Sequence, residues 1–223
     1  MNFKILLIIF IFLLTGIFYY NISKNKQQEF FVSRVIDGDT LELENGLRVR
    51  LLGINTPEKN QNYYEEAKQF LKNLAENKTI KIIWQDTDKY GRILAYIFCK
   101  NLLNREILER GFANLYYYEK DKYYKEMKKA EELARKNEKG IWKRSQDYRC
   151  LKLLELKYKE PEQIILENSC PKINIILKDD ATHIYQEEIP SGIWKKNFSH
   201  IWNDEGDSLF IWDDSGLLIF YRY

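Results

Sequence analysis

The chain has almost no excess of either charge, since 35 Lys and Arg stand against 33 Asp and Glu for a formal net charge of +2. Nothing in that total demands a polyanionic partner, so any nucleic-acid site has to come from local clustering. Histidine is scarce, with two in 223 residues, and none of the three cysteines has the close spacing of a zinc site. That scarcity argues against a histidine or thiolate metal centre. His183 and His200 therefore read as ordinary structural or surface residues. Cys150 and Cys170 flank a polar stretch and can pair in an exported chain, whereas Cys99 ends the apolar run LAYIFC and reads as a buried small hydrophobe. A composition of 45% hydrophobic and 30% charged residues excludes disorder and leaves room for at least one sizeable core, or two small domains.

The one long hydrophobic run lies at the start. Residues 1–22 carry an early Lys4 and then ILLIIFIFLLTGIFYY, which is long for a cleavable signal peptide and lacks a small-x-small cleavage site. It reads as a signal or, preferably, an uncleaved signal anchor, which would place the rest of the chain outside the cytoplasm. Lys4 before the run and Lys24 and Lys26 after it do little to fix orientation. Residues 23–29 form a polar linker.

From Phe30 the pattern changes to short β-type segments separated by turn signals. Asp37-Gly38 and Asn45-Gly46 punctuate FFVSRVIDGDTLELENGLRVRLLG, predicting a strand, a hairpin and a third strand. The segment NYYEEAKQFLKNLAENK sets Tyr64, Ala67, Phe70, Leu71 and Leu74 at helical spacing, and TIKIIW and RILAYIFC follow as two more strands. Two further helices are expected in NREILERGFA, ending near Gly111, and in YYKEMKKAEELARKNEKG, stopping at Gly140. Ile141 and Trp142 would close the core. The last helix alternates Lys and Glu, so its charge reads as a solvated face.

Between Asp37 and Arg92 the chain offers what phosphodiester hydrolysis needs: oxygen ligands for a cation, a carboxylate to direct water, and fixed positive charge. Asp37, Asp39 and Glu58 can supply the first two, and Arg50 and Arg92 the third, because guanidinium binds phosphate through two parallel hydrogen bonds. Taken singly each has a bland explanation: Asp37 and Asp39 as turn formers, the arginines as surface ion pairs, and Glu58 beside a helix cap.

The segments VIDGDTLEL, RVRLLGINTPE, DKYGRILAY, NREILERGFAN and GIWKRS together resemble the thermonuclease, or staphylococcal nuclease, family over roughly residues 30–145. The resemblance implies an α+β domain over 30–147, a five-stranded OB-type barrel with three helices, that cuts DNA or RNA with Ca²⁺. It further implies Asp39, Asn55 and the Thr56 carbonyl as calcium ligands, Glu58 as the water-activating carboxylate, Arg50 and Arg92 as catalytic arginines, and Tyr90 and Tyr117 at the nucleotide. One position departs from the family pattern, which usually has Asp where this chain has Asn55. The site keeps an oxygen donor there and loses a negative charge, which predicts weaker or altered metal binding.

After Ser145 the segments EQIILEN, KINIILK, THIYQ, SHIWN, DSLFIWD and GLLIFYRY read as strands of a second, all-β domain over 150–223. IWNDEGDSLFIWDDSG resembles the closing strands of lamin-tail domains, immunoglobulin-like sandwiches, which implies binding of nucleic acid, cell envelope or another protein and no chemistry of its own. The expectation is a monomeric, extracytoplasmic, membrane-anchored or secreted Ca²⁺-dependent nuclease. The competing reading is a nucleic-acid or protein binding module that keeps the fold and has lost turnover through Asn55.

Overall fold

The computed structural model describes residues 28–117, 120–180 and 183–223. The expected anchor at 1–22 and nearly all of the linker lie outside these residues. Among the described residues no helix is long and apolar enough to cross a membrane. In chain order the elements are β1 (Gln28–Val35), β2 (Thr40–Leu43), β3 (Arg48–Leu51), β4 (Ile54–Asn55), α1 (Tyr64–Ala75), β5 (Thr79–Thr87), β6 (Ile93–Phe98), α2 (Leu103–Arg110), β7 (Asn114–Leu115) and α3 (Tyr124–Lys136). A short 3₁₀ turn, Gly140–Trp142, leads to β8 (Leu151–Lys157), β9 (Glu162–Asn168), β10 (Ile173–Lys178), β11 (Ile184–Ile189), β12 (Gly192–Phe198), β13 (Ser208–Trp212) and β14 (Leu217–Arg222). The chain divides into two compact units, residues up to 52 with 65–106, and residues 53–64 with 107–223.

The first unit is the expected five-stranded closed barrel, in the order β1-β2-β3-β6-β5. All neighbours are antiparallel except β3 and β6, and β1 pairs β5 to close the sheet on itself. Closure removes the exposed edges that would otherwise template aggregation. Alternate residues turn inward: Val32, Leu41, Leu43, Val49, Leu51, Ile80, Ile82, Ala95 and Ile97 are all buried. The β2–β3 turn works as read from the sequence, with Gly46 at φ +82 and its N–H donating to the Leu43 carbonyl at 2.9 Å. Helix α1 buries Ala67, Leu71 and Ala75, one residue per turn on a single stripe. Asn104 of α2, fully buried, donates to the carbonyls of Leu52 and Ala95 at 2.8 and 3.2 Å and accepts the Ile97 N–H at 3.0 Å. One amide thus bonds three backbone groups, one just after β3 and two on β6.

In the second unit α2 ends at Gly111 and α3 runs out through Asn137 to Gly140, both glycines having positive φ. A Cβ on Gly111 would stand 2.1 Å from the Lys139 carbonyl oxygen, and one on Gly140 would stand 2.1 Å from that of Gly111. Only glycine permits two backbones this close, and the Ile141 N–H donates to the Gly111 carbonyl at 2.8 Å across the contact. The turn seats Trp142 against Ala134, Phe210 and Phe220.

Seven strands follow, in a four-stranded sheet β11-β10-β13-β14 and a three-stranded sheet β12-β9-β8. Leu151, Ile164 and Leu166 from one sheet and Ile175, Leu177, Ile189, Leu209 and Ile211 from the other share one core, which makes the pair a sandwich. Cys150 and Cys170 form a disulfide. Cys99 is free and only half-buried, less enclosed than its apolar run suggested, with its thiol directed to the Leu74 carbonyl at 3.3 Å and pushed up in pKa by burial. Two strands, LKLLELK and GIWKKNF, were not legible, and SHIWN is not a strand. There His200 adopts φ +55, and the buried Glu162 carboxylate takes the N–H groups of Ile201 and Trp202 in place of a ladder. The expected boundary near 147–150 falls inside the second unit: Ser145 N–H donates to the Leu217 carbonyl, and the Leu217 N–H to that of Lys143.

Candidate active site

The first unit places Asp39 and Arg50 side by side. Asp37 begins the turn between β1 and β2 by accepting the Asp39 N–H at 3.0 Å, a local bond that a short carboxylate makes readily. Register then pairs Thr40 with Arg50, and the Leu51 N–H donates to the Asp39 carbonyl at 2.8 Å. Asp39 is buried, accepts the Thr40 hydroxyl at 3.0 Å and stands 3.4 Å from the Arg50 guanidinium, which also donates to the Leu51 carbonyl. A carboxylate and a guanidinium are thus held by the barrel wall itself.

A second charged turn joins β5 to β6. Asp88 accepts the N–H of Tyr90 at 2.9 Å, the N–H of Arg92 at 3.0 Å and the Arg92 Nε at 2.7 Å. Burial works to raise the Asp88 carboxyl, and these hydrogen bonds outweigh it and hold the group below the usual carboxylate range. Gly91, at φ +79, completes the turn. Tyr90 is 73% exposed, with the Arg92 guanidinium 5.5 Å and the Lys89 ammonium 5.1 Å from its ring centre. An open aromatic face flanked by two cations suits a nucleotide base and its phosphate.

In the second unit Asn55 and Thr56 are buried, and β4 pairs with β7 so that Asn55 faces Asn114. The loop after β10 reaches the same pair. Asn55 Nδ2 donates to the Asp180 carbonyl at 3.0 Å, and Asn114 Nδ2 to the Asp180 carboxyl at 3.3 Å. Behind them Arg222 lies 3.6 Å from the Asp180 carboxyl and binds both oxygens of the buried Glu131, at 2.6 and 3.1 Å. Glu131 also accepts the Leu115 N–H at 2.7 Å. Burial pushes the Asp180 carboxyl up to about 7 against the opposing pull of Arg222. The arginine is pulled down by burial but held above its usual value by Glu131 and Asp180. None of Asp180, Glu131 or Arg222 was singled out from sequence. A signal did exist, because Glu131 sits on the stripe of Met127, Ala130 and Ala134, where a carboxylate needs a buried partner.

Glu58 is exposed on the loop after Pro57, with its N–H held by the Gln61 side chain at 2.9 Å. Tyr117 is half-buried. A Cβ at Gly53 would stand 2.5 Å from its ring, Tyr124 meets it edge-on at 5.2 Å, and its hydroxyl lies 3.3 Å from Met127 Sδ. It is packed into the unit, whereas Tyr90 is open.

The geometry around Asn55 supplies a reason for its identity. The Asp180 carbonyl requires a donor there, which an amide has and a carboxylate lacks. Asn55→Asp is therefore expected to lower the thermal midpoint in chelator by about 0.5–1.5 kcal/mol, because the Asp180 carbonyl loses its 3.0 Å donor and keeps the longer one from Asn114 Nδ2 at 3.5 Å. An unchanged midpoint would remove this explanation. The amide oxygen is the atom of Asn55 chemically able to meet a cation. Among the described residues no group of three His, Cys, Asp or Glu side chains is placed to hold a metal. The Asp39 carboxylate in the first unit, and the Asn55 amide and Thr56 carbonyl in the second, are each the kind of oxygen donor that a hard ion such as calcium takes.

Comparison with known proteins bears on the family. The model of the staphylococcal nuclease homologue family matches residues 48–144. The thermonuclease of Staphylococcus hyicus is 32% identical over 134 residues, covering 54% of this chain and 79% of that protein. That of Staphylococcus intermedius is 33% identical over 130 residues, covering 52% and 77%. An uncharacterized endonuclease of Escherichia coli is 31% identical over 115 residues, covering 50% and 74%. With its closed barrel, three helices and matching segments, the chain belongs to the staphylococcal nuclease family.

Proposed function

We propose that the chain is a calcium-dependent nuclease that hydrolyses phosphodiester bonds of DNA or RNA outside the cytoplasm. The observation that carries this reading is the Asp39–Arg50 pair, a buried carboxylate just before β2 suited to a cation beside a half-buried guanidinium on β3 suited to a phosphate. Asp39, the Asn55 amide oxygen and the Thr56 carbonyl would hold the ion, which when bound supplies positive charge to a phosphate oxygen. Glu58 directs and deprotonates the attacking water. Arg50 and Arg92 donate hydrogen bonds to the phosphate as its charge grows, and they cost little reorganisation because Asp39 and Asp88 already orient them. Tyr90 offers a stacking face to the nucleotide, and Tyr117 supports the Gly53 turn beside Asn55.

The Cys150–Cys170 disulfide supports an oxidising compartment, and the apolar run near the start supports a membrane anchor. The seven-stranded sandwich supports the lamin-tail likeness and, with it, an envelope or protein ligand for the C-terminal part. The second reading, a binding module without turnover, is favoured by one observation: the Asn55 amide is already engaged by the Asp180 loop.

The test is cleavage of single-stranded DNA, duplex DNA and RNA by the full chain in calcium and in chelator. Cleavage that appears with calcium and stops with chelator is the expected result. Strand binding with no cleavage in either condition would favour the binding module.

A further inference from the structure

Helix α3 and the sandwich form a groove of about 430 Å³, within the size range of small-ligand sites. Its lining is not that of a core seam. Three cations, Arg135, Lys136 and Arg144, and three aromatic residues, Trp142, Tyr148 and Phe220, make up most of the wall, with Glu132 as the one carboxylate. The Arg135 guanidinium lies 4.8 Å from the Phe220 ring centre and 5.8 Å from that of Trp142, a position that strips it of much of its water. Among the described residues no carboxylate pairs with Arg135, and Lys136 has no ion-pair partner either. Arg144 sits 5.1 Å from the Tyr148 ring centre and 3.1 Å from Glu138.

Two residues of this wall carry unsatisfied donors. Among the described residues Arg135 Nε and the indole Nε1 of Trp142 are buried without a hydrogen-bond partner, and Trp142 is only 2% exposed. A buried N–H that pairs with nothing costs stability and is rare, so two in one groove, with cations alongside, ask for an acceptor from outside. Neither group can accept, and three cations against one carboxylate set the wall against a cationic ligand. An anion with an apolar, planar part satisfies every feature of the wall: acceptor oxygens for the two donors, negative charge for the cations, and a ring for the aromatic faces.

We infer that this groove binds a segment of single-stranded nucleic acid, a second strand-binding site carried by the second unit. The choice of nucleic acid over another aromatic anion rests on the nuclease reading. The site would hold a substrate strand by its phosphates and bases without taking part in the bond cleaved.

The experiment measures binding of a fluorescently labelled oligothymidylate to the full chain in mild detergent with chelator present, so that no strand is cut. Wild type is compared with Lys136→Gln/Arg144→Gln, both exposed positions whose replacement leaves the melt unchanged. The double variant is expected to bind roughly tenfold more weakly, and the slope of log affinity against log salt is expected to fall by about 1.4, from about 0.7 per lost phosphate contact on a single strand. Cleavage of a dinucleotide in calcium stays at the wild-type rate. Equal affinity and equal salt slope in the two proteins would overturn the proposal. So would binding that is independent of strand length and fully displaced by millimolar inorganic phosphate, which would make the groove a simple anion site. A chain that binds through the groove and never cuts would sink the nuclease reading and leave the groove standing; one that cuts while the variant binds normally would sink the groove alone.

Discussion

Glu58→Gln is expected to reduce kcat by about 10²- to 10⁴-fold, the usual contribution of a positioned general base, with no loss of strand affinity. The substitution keeps the size and hydrogen-bonding shape of the side chain and removes its basicity. It is also a clean test structurally. Among the described residues the Glu58 carboxylate makes no ion pair or hydrogen bond, and it is the backbone that is held, its N–H by the Gln61 side chain and its carbonyl by the Gln61 N–H. Stability should therefore stay within about 0.5 kcal/mol, as for most exposed positions away from packed features. A residue with no structural task whose loss stops the chemistry has to act on the reacting atoms. Arg92→Ala is a less direct probe, because it also frees the half-buried Asp88 carboxylate from its ion pair and loosens the turn that presents Tyr90. If Glu58→Gln retains more than a tenth of the wild-type rate in calcium, the water-activating group lies elsewhere and the assignment to Glu58 is wrong.

The barrel was legible because its signals are local. Alternation of apolar residues, the Asp37-Gly38 and Asn45-Gly46 turns and the spacing of Ala67 and Leu71 are all written within a few positions of one another. Asp39 and Arg50 were legible for the same reason, one just before β2 and the other on β3, strands that pair directly through the turn. The sandwich was read less well. LKLLELK shows a strand of mostly half-exposed leucines and charges, so its alternation is weak, and GIWKKNF keeps Ile193 63% exposed. SHIWN deceived because Ile201 and Trp202 are buried by a loop, whose backbone is satisfied from a distance by Glu162. The same limit hid the support behind Asn55. Its partner Asp180 lies 125 positions away, and Glu131 and Arg222 are 91 apart. No spacing rule connects residues that meet only after a helix and a sandwich have packed.

Arg222→Met is expected to destabilise the folded chain by about 3–5 kcal/mol, the range for breaking a buried ion pair by removing one partner. Methionine fills the space of the aliphatic stem, so the loss would be electrostatic and not a cavity effect. Glu131, fully buried, would keep the Leu115 N–H and lose both guanidinium bonds, and Asp180 would lose the guanidinium beside it. The sign of the pH dependence follows from Asp180. Its pKa of about 7 in the folded chain is above the ordinary aspartate value, so its ionised form opposes folding, fully so above pH 7 and progressively less as pH falls toward 4. Removing Arg222 deepens that opposition, so the variant's deficit in urea unfolding should be larger at pH 8 than at pH 5. Pairing the change with Glu131→Gln removes the unpartnered charge and should recover a large part of the loss, as expected when both ends of a buried pair are made neutral. A single-variant cost under about 1 kcal/mol, or no recovery in the double variant, would mean that the pair is incidental. The consequence reaches the candidate site, because the Asp180 backbone that Arg222 helps to hold is the acceptor for Asn55. Arg222→Met should then also weaken calcium-stimulated cleavage under conditions where the chain remains folded, which would make the C-terminal sandwich a working part of the nuclease.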